Sequence, residues 1–559
     1  MRKTVLVVAL ILVGCALAFA SGTPPKEKGA AAVAVSAPGQ YPVVKEKVTL
    51  TAYIPSIGFI QDIKTNSSVL WLEQKTNVHV EWIETTKVDA KTRLSILLAG
   101  GDYPDMLVGT GQNGAGLSVQ DVYRYGTQGV FIPLNDLIKR YGYFVTELFT
   151  KEPSVEPAIT SPNGSIYGLP AVFTDDYHMT MRQKLWIEKN WLARLGLQMP
   201  TTTDDLYAVA KAFKEKDANG NGDPNDEIPL TGAKRSQEDL AMWIMNAYTP
   251  AGGPDDSGDA LLNNYEFLVK GKVFFDATTS EFREGLRFIN KLYTEKLIDV
   301  AALTQDKEQI KPLVDGGTVS RVGMAASHHP GNFAAMTDTS DQARYKQYVA
   351  VPPIKGPSGA QTTAWIIDGV IQPGQFEITS KCKNPEVAFR WADTTFSLDF
   401  GLKEKGNEGV HWSKADPSQK LIGLNGQPAK YVYGKVLAKE DNAQINLGQG
   451  WTRDLKNEFA PPGGTGYSYE QMLYNQTKLY EPYKVARFPY ATASIAEKDM
   501  QEFNDLRRTI HTFVGESIDR FIIGDKSLDK DWDSYVAQLN QIGLPRFMEI
   551  LEASQAAKK

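Results

Sequence analysis

Oxygen-bearing side chains crowd one short stretch of this chain, Asp217-Ala218-Asn219-Gly220-Asn221-Gly222-Asp223-Pro224-Asn225-Asp226-Glu227. Six Asp or Asn residues and one Glu fall within eleven positions, first at alternate places and then crowded together. A hard cation such as Ca²⁺ takes roughly six to eight oxygen ligands, and a short loop with alternating acids and amides can wrap around one. Gly222 stands sixth from Asp217, where an EF-hand loop turns sharply on glycine. The twelfth position, which should close the loop with an acid, is Ile228, so a paired EF-hand is not expected. The alternative is a plain turn, because Asn, Gly and Asp make turns without metal. The density of donors favours calcium, held by Asp217, Asn219, Asn221, the Asp223 carbonyl, and Asp226 or Glu227.

Other candidates for chemistry are sparser. His328-His329 is a lone pair of adjacent histidines, and neighbours at a strand end point to opposite sides, which makes a shared metal awkward. Asp175-Asp176 and Glu408 could form the two carboxyls that a glycosidase needs around its bond. No Gly-x-Ser-x-Gly elbow and no Walker-type phosphate loop occurs. Cys15 and Cys382 are the two cysteines, too few for a disulfide framework or a cysteine metal site in an exported chain. Aromatic residues are abundant, with 24 Tyr, 23 Phe and 10 Trp. Tyr177, Trp243, Trp412 and Trp451 lie in or near polar or Gly-rich segments, where a flat ring can meet an apolar sugar face. Trp391 and Trp532 instead fit the buried face of helices. The candidate ligand-binding set is Tyr53, Tyr177, Trp243, His328, His329, Glu408, Trp412 and Trp451.

The elements that must position these residues alternate. Val48 to Ile54 reads as a strand ended by Pro55, a helix follows to Thr76, and Val78 to Ile83 alternates apolar with polar. Lys91 to Ala99 reads as a helix and Tyr103 to Val108 as the approach to another strand. This β-α-β-α-β order predicts an α/β domain with a largely parallel sheet. Further on, Leu185 to Leu195 reads as a helix, and Thr202 caps another that runs into the acidic loop. The loop's carboxylates then sit at a helix C-terminus, where the dipole disfavours negative charge, and a cation removes the conflict. Phe282 to Tyr293 is an amphipathic helix, Val322 to Ala326 a buried strand, and Trp532 to Leu539 a helix stopped by Gly543.

At 559 residues the chain has room for two or more domains, and its net charge of −6 argues against a nucleic-acid partner. Residues 1–20 read as a signal peptide, with Arg2 and Lys3 before the apolar run Val5 to Val13. Leu12-Val13-Gly14-Cys15 resembles a lipobox, while Ala18-Phe19-Ala20 fits cleavage before Ser21; either places the protein outside the cytoplasmic membrane, periplasmic or extracellular. Residues 21–45, rich in Pro, Ala, Gly and Lys, read as a flexible tether.

Trp71-Leu72-Glu73-Gln74-Lys75-Thr76-Asn77-Val78-His79-Val80-Glu81-Trp82 and Leu97-Leu98-Ala99-Gly100-Gly101-Asp102-Tyr103-Pro104-Asp105 resemble the opening of the family 1 extracellular solute-binding proteins. The branch they resemble is the large lipoprotein-like one that includes alginate-oligosaccharide binders. Tyr167-Gly168-Leu169-Pro170, the acidic loop, Asn384 to Trp391, Gly406 to Trp412 and the segment from Phe521 to Leu551 extend the resemblance over nearly the whole exported chain. The resemblance implies a type II periplasmic-binding-protein fold, two α/β lobes with a hinge and a ligand cleft between them. Lobe I is expected over 46–168 and 355–405, and lobe II over 169–354 and 406–559. It implies a monomer that captures a solute, an oligosaccharide above all, and delivers it to an ABC permease, without catalysis. A secreted carbohydrate-active enzyme and a ligand sensor without transport are the alternatives. The calcium loop, at a helix end away from the aromatic candidates, is expected to brace lobe II rather than to bind the ligand.

Overall fold

Two β-sheets organise the protein, and each gathers its own helices. The computed structural model describes residues 33–556, apart from 57–59, 87–88, 111–116, 118, 174–180, 235, 253–264, 337–339, 341, 364–369, 425, 436, 446, 448–454, 456–457, 461–468 and 486–494. The first sheet has the order β2-β1-β3-β11-β4, with β1 Val48–Ser56, β2 Val78–Thr86, β3 Met106–Val108, β4 Leu169–Phe173 and β11 Val370–Ile378. β1 runs parallel to β2 and β3, whereas β11 is antiparallel to both β3 and β4. Helices Ser67–Thr76 and Ala90–Gly100 make the crossovers between the parallel strands. Pro55 does not end β1 as expected; it lies beyond Ala52 and Tyr53, where pairing with β3 is over, so its missing N–H costs little on that side.

The second sheet has the order β10-β5-β9-β6, with β5 Lys184–Glu188, β6 Ile228–Thr231, β9 Val322–Ser327 and β10 Tyr348–Val351. Residues 185–195 are thus not one helix. Leu185, Trp186 and Ile187 are fully buried between two neighbouring strands, and a seven-residue helix, Lys189–Leu195, starts only after them. Glu188 makes the switch, since its carboxylate accepts the N–H groups of Asn190 and Trp191 as an N-cap. The next helix, Thr203–Glu215, begins with the expected cap: Thr202 and Asp205 form a reciprocal capping box. Its apolar face (Leu206, Val209, Ala210, Phe213) packs under the sheet, and the ring of Phe213 meets Trp191 edge-on. Helices Ser280–Thr294, Met500–Ile523, Trp532–Ile542 and Leu544–Ala556 complete this lobe's core, with Trp532 buried. Gly543, at φ 116°, ends the helix from Trp532 as the sequence indicates.

Three departures concern where the chain changes lobe. β4 pairs with β11, so the first sheet extends past Gly168 to Phe173. On the return, Lys355 still lies beside Thr202 and Thr363 beside Lys484, which keeps the chain with the second lobe beyond 355. The segment after 406 is shared rather than belonging to lobe II: Leu424 joins the second core, while Ile445 and Leu447 join the first. β12 Trp412–Lys414, β13 Tyr431–Tyr433 and β14 Phe459–Ala460 form a small sheet of their own, and β7 Glu266–Val269 pairs with β8 Lys272–Phe275 in a separate hairpin.

Residues 33–45, inside the stretch expected to be a tether, are packed. Val43 and Val44 are buried in the first core, the Val43 N–H bonds the Thr76 carbonyl, and the fully buried Arg390 donates to the carbonyls of Ala37 and Gln40. Two adjacent valines suffice to dock a segment whose remaining composition signals flexibility.

Candidate functional site

In open α/β sheets ligands collect at the carboxyl ends of the strands. β6 and β9 are parallel, so Thr231 and Ser327 end at one edge, and the antiparallel β5 starts there at Lys184. Four connections meet at this edge: the approach to β5, the segment after β6 with Glu238 and Asp239, residues 327–332 after β9, and residues 353–363. Helix Leu240–Met245 adds Trp243, and the helix Tyr469–Lys478 with the turn after it adds Tyr469 and Tyr480.

Tyr480 is the keystone. Its hydroxyl accepts from the Trp243 Nε1 at 3.3 Å and from the Leu185 N–H at 3.2 Å, and donates to the Val351 carbonyl at 2.5 Å. Beside it lies a pocket lined by Gln183, Trp243, Asn246, Thr362, Thr363 and Tyr480, closed by Ala247, Pro353 and Ile354. Every polar group in this lining is an amide or a hydroxyl, besides the indole. Asn246 is fixed by bonds to the Met242 and Ala251 carbonyls, and its own carbonyl accepts from the Thr362 hydroxyl at 2.8 Å. The amide of Gln183 donates to the Asp239 carbonyl.

Next to the pocket the buried carboxylate of Glu238 organises the loop after β9. It accepts from the Asn332 amide at 2.8 Å, the Ser236 hydroxyl at 2.9 Å and the Ser327 hydroxyl at 3.3 Å. His328 and His329 follow. They lie past the end of β9, so strand alternation does not separate them, and their ring centroids are 4.9 Å apart. His329 Nδ1 is 2.9 Å from the Tyr469 hydroxyl, which also accepts the Gly331 N–H at 3.0 Å. Beneath this edge Lys184 is fully buried; its amine donates to the Met181 carbonyl and lies 5.8 Å from the centre of the Tyr480 ring. Burial alone brings the amine down to about 7.

The structure therefore brings Trp243, His328 and His329 of the expected set to one edge. It does not bring Tyr53, Glu408 or Trp412 there. Tyr53 is buried on the far side of β1, with its hydroxyl spent on the Ala90 carbonyl at 2.8 Å. Trp412 is the core of the small sheet, edge-on to Tyr431, with its Nε1 spent on the Gly406 carbonyl at 3.1 Å. Both rings are packing, not stacking faces. Glu408 lies exposed in the turn before β12. Tyr177, Trp451 and the pair Asp175-Asp176 lie outside the described residues. Gln183, Glu238, Tyr469, Tyr480 and Lys184 were missed: no local motif marks them, since their partners are up to 295 positions away in the chain.

The acidic loop lies between helix Thr203–Glu215 and β6, at the opposite end of β6 from the site edge, about 10 Å away at ~3.3 Å per residue. Gly220 and Gly222 take positive φ, as its tight winding requires. Asp217 accepts the N–H groups of Gly220, Asn221 and Gly222. The amides of Asn219 and Asn221 both reach the Asp226 carboxylate, at 2.8 and 2.9 Å, so these three side chains converge. Asp223 turns outward to Asn225, which leaves its main chain as the donor on offer. Glu227 is 2% exposed, with Oε2 buried and unbonded, and burial raises its carboxyl. An orphaned buried carboxylate oxygen beside converging amides and Asp226 fits a cation. Among the described residues no three of His, Cys, Asp and Glu cluster as metal ligands, so Asp217, Asp226 and Glu227 do not converge on one point, and the amides of Asn219 and Asn221 turn their N–H groups to Asp226. Cys382 is half-buried and its thiol is pushed up to about 12, an inert packing residue.

Comparison with known proteins follows the same lines. The fructooligosaccharide ABC transporter substrate-binding protein FusA of Streptococcus pneumoniae serotype 4 is 26% identical over 508 residues, 86% of this chain and 84% of FusA. The structure of a FusA EF-hand mutant in complex with fructo-nystose superposes with a TM-score of 0.72 at 22% identity, covering 91% of this chain and 99% of that one. Alginate-binding protein AlgQ2, solved without calcium ion, gives 0.67 at 21% identity over 92% and 99%. The sequence profile of the bacterial extracellular solute-binding proteins matches residues 58–397, well over half of the chain, and the protein belongs to that family.

Proposed function

We propose that this protein captures an oligosaccharide between its two lobes outside the cytoplasmic membrane and delivers it to an ABC permease, without chemistry of its own. The observation that carries this reading is the two-sheet architecture shared with the solute-binding proteins, with amides, hydroxyls and an indole converging at the carboxyl edge of the second sheet around a space the size of one water molecule. An edge rich in amides and hydroxyls suits sugar hydroxyls with neutral donors and acceptors, while Trp243, 5% exposed with its Nε1 on Tyr480, packs beneath it. Relatives that bind fructooligosaccharide support the substrate class. A glycosidase reading would need two opposed carboxyls; Glu408 is exposed in the turn before β12, and Asp175 and Asp176 lie outside the described residues. Among the described residues no helix is long and apolar enough to cross a membrane.

Titration calorimetry and thermal shift with a panel of oligosaccharides test the proposal. Micromolar or tighter binding by the wild type, lost in Trp243→Ala, is expected. Cleavage of a glycan that disappears in Asp176→Asn or Glu408→Gln would overturn it.

Calcium belongs to the same proposal as a brace. Asp217, Asn219, Asn221, the Asp223 carbonyl, Asp226 and Glu227 would hold it and pin the end of helix Thr203–Glu215 to the start of β6. The FusA structure described as an EF-hand mutant and the AlgQ2 structure described as without calcium ion support this assignment.

A further inference from the structure

We propose that Arg321 is a built-in competitor for the cation of the acidic loop, so that the loop stays wound without calcium and binds it weakly. The proposal rests on the calcium reading above and names what sets the affinity. Two arginines from outside the loop bracket it. Arg194, on the helix Lys189–Leu195, donates to the Ala218 carbonyl at 2.6 Å. Gly220 lies so close to that guanidinium that a β-carbon there would come within 2.6 Å of its central carbon. Arg321, just before β9, donates through Nε to the Asp226 carbonyl at 3.2 Å and lies 3.7 Å from the Asp226 carboxylate. Its main chain fixes it there: its carbonyl accepts the Ile228 N–H, and its own N–H bonds the Leu313 carbonyl.

The loop carries four carboxylates, Asp217, Asp223, Asp226 and Glu227, beyond the C-terminal end of helix Thr203–Glu215. Like charges so placed repel one another and meet the negative end of the helix dipole. Calcium is one remedy, but the chain supplies two cations of its own. Asp217 also gathers the N–H groups of Gly220, Asn221 and Gly222, so the winding is closed from within. Folding of the loop therefore does not wait for metal.

The two arginines differ in what they occupy. Arg194 takes a main-chain carbonyl near the loop's entrance and shapes the turn. Arg321 sits on Asp226, the carboxylate that the amides of Asn219 and Asn221 also reach. Those amides are neutral and exchange N–H for carbonyl oxygen by rotating about one side-chain bond. A guanidinium has only donors and keeps its charge, so calcium must draw Asp226 away from it or bind beside it. The pair is open to water, with Asp226 22% and Arg321 46% exposed, and solvent screens it. The penalty is accordingly modest, about three- to tenfold in the dissociation constant. It places the loop with the weak extracellular calcium modules, at about 0.1–1 mM, rather than with the nanomolar cytosolic buffers.

The test is calorimetric calcium titration of the full exported chain, freed of metal by chelator, in roughly 20 mM salt where screening is weak. The wild type should stay folded in chelator and bind calcium at about 0.1–1 mM. Arg321→Met and Arg321→Gln, either of which serves if the other does not fold, should bind about three- to tenfold more tightly. Without calcium both should melt below the wild type. Arg321→Lys, which keeps the charge, should stay near the wild-type affinity, and the gain of the neutral variants should shrink in roughly 0.5 M salt. Unchanged or weaker calcium binding in the neutral variants overturns the proposal. So does an equal gain in Arg321→Lys, unfolding of the wild type in chelator, or nanomolar binding by the wild type. If neither the wild type nor any variant binds calcium, the calcium reading falls with it.

Discussion

Among the described residues each lobe buries an ionisable side chain that makes no salt bridge, a lysine in the second and a glutamate in the first. In the second lobe it is Lys184, at the start of β5. In the first it is Glu377 on β11, fully buried, with one oxygen taking the Thr110 hydroxyl at 3.0 Å and the other unbonded. Burial pushes this carboxyl up to about 8, and Gly168 packs so close that any larger residue there would strike it. Both groups are therefore largely or partly neutral near pH 7. The difference lies in what surrounds them. Lys184 lies against the Tyr480 ring at the carboxyl edge of the second sheet, while Glu377 shares its face of the first sheet with Leu107 and the cluster around Tyr53. The lesson is that the same burial disfavours an ammonium in one lobe and a carboxylate in the other, so the two act at opposite ends of the pH range.

The largest expected effect separates the two by sign. Glu377 has a raised folded value, so its contribution is fully present below the unfolded range near 4.5 and is lost as pH climbs through about 8. Lys184 has a depressed value, so its contribution is present above 10.5 and is lost as pH falls through about 7. Glu377→Gln should flatten the alkaline loss and Lys184→Met the acid loss, each by up to roughly 4 kcal/mol. Urea unfolding from pH 5 to 10 checks this, and parallel slopes in the two variants would refute the contrast.

Calcium should next distinguish the lobes, because the acidic loop belongs to the second one alone. A chelator, or Glu227→Gln, is expected to lower the stability of that lobe by about 2–3 kcal/mol where calcium exceeds its dissociation constant ~100-fold. Calorimetric unfolding should show the shift in the transition that carries the helices from 500 onward. Elemental analysis that finds no bound metal would end the assignment.

Smaller again is the comparison of two buried tyrosines. Tyr480→Phe strips a hydroxyl that serves three partners, and should cost about 2–3 kcal/mol and weaken sugar binding. Tyr53→Phe strips one bond to the Ala90 carbonyl and should cost about 1 kcal/mol with binding unchanged. An equal loss of binding in both would mean that the ligand sits elsewhere.

Where the sequence spoke locally, its reading holds. The Thr202–Asp205 box, the strand from Val322, the stop at Gly543 and the burial of Trp391 and Trp532 each follow from residues a few positions apart. The misreading of 185–195 has a physical cause: Leu185, Ile187, Leu192 and Leu195 fit either a helix face or a buried run followed by a short helix, and neighbouring strands decide between them. Trp412 in its Gly-rich surroundings looked like a cleft residue because the strands that bury it begin nineteen and forty-seven positions later. Tyr480 and Glu238 gave no signal, for their meaning is set by β5, β9 and β10, which sequence spacing does not place together.

The packing of residues 33–45 also decides how force enters the molecule. A pull on the start of the chain is borne by the bonds between Val43 and Thr76 and by the grip of Arg390, all in the first lobe. Force applied at that end therefore loads the first lobe directly and reaches the second lobe, with Trp243, Tyr480 and the acidic loop, only through the connections between them.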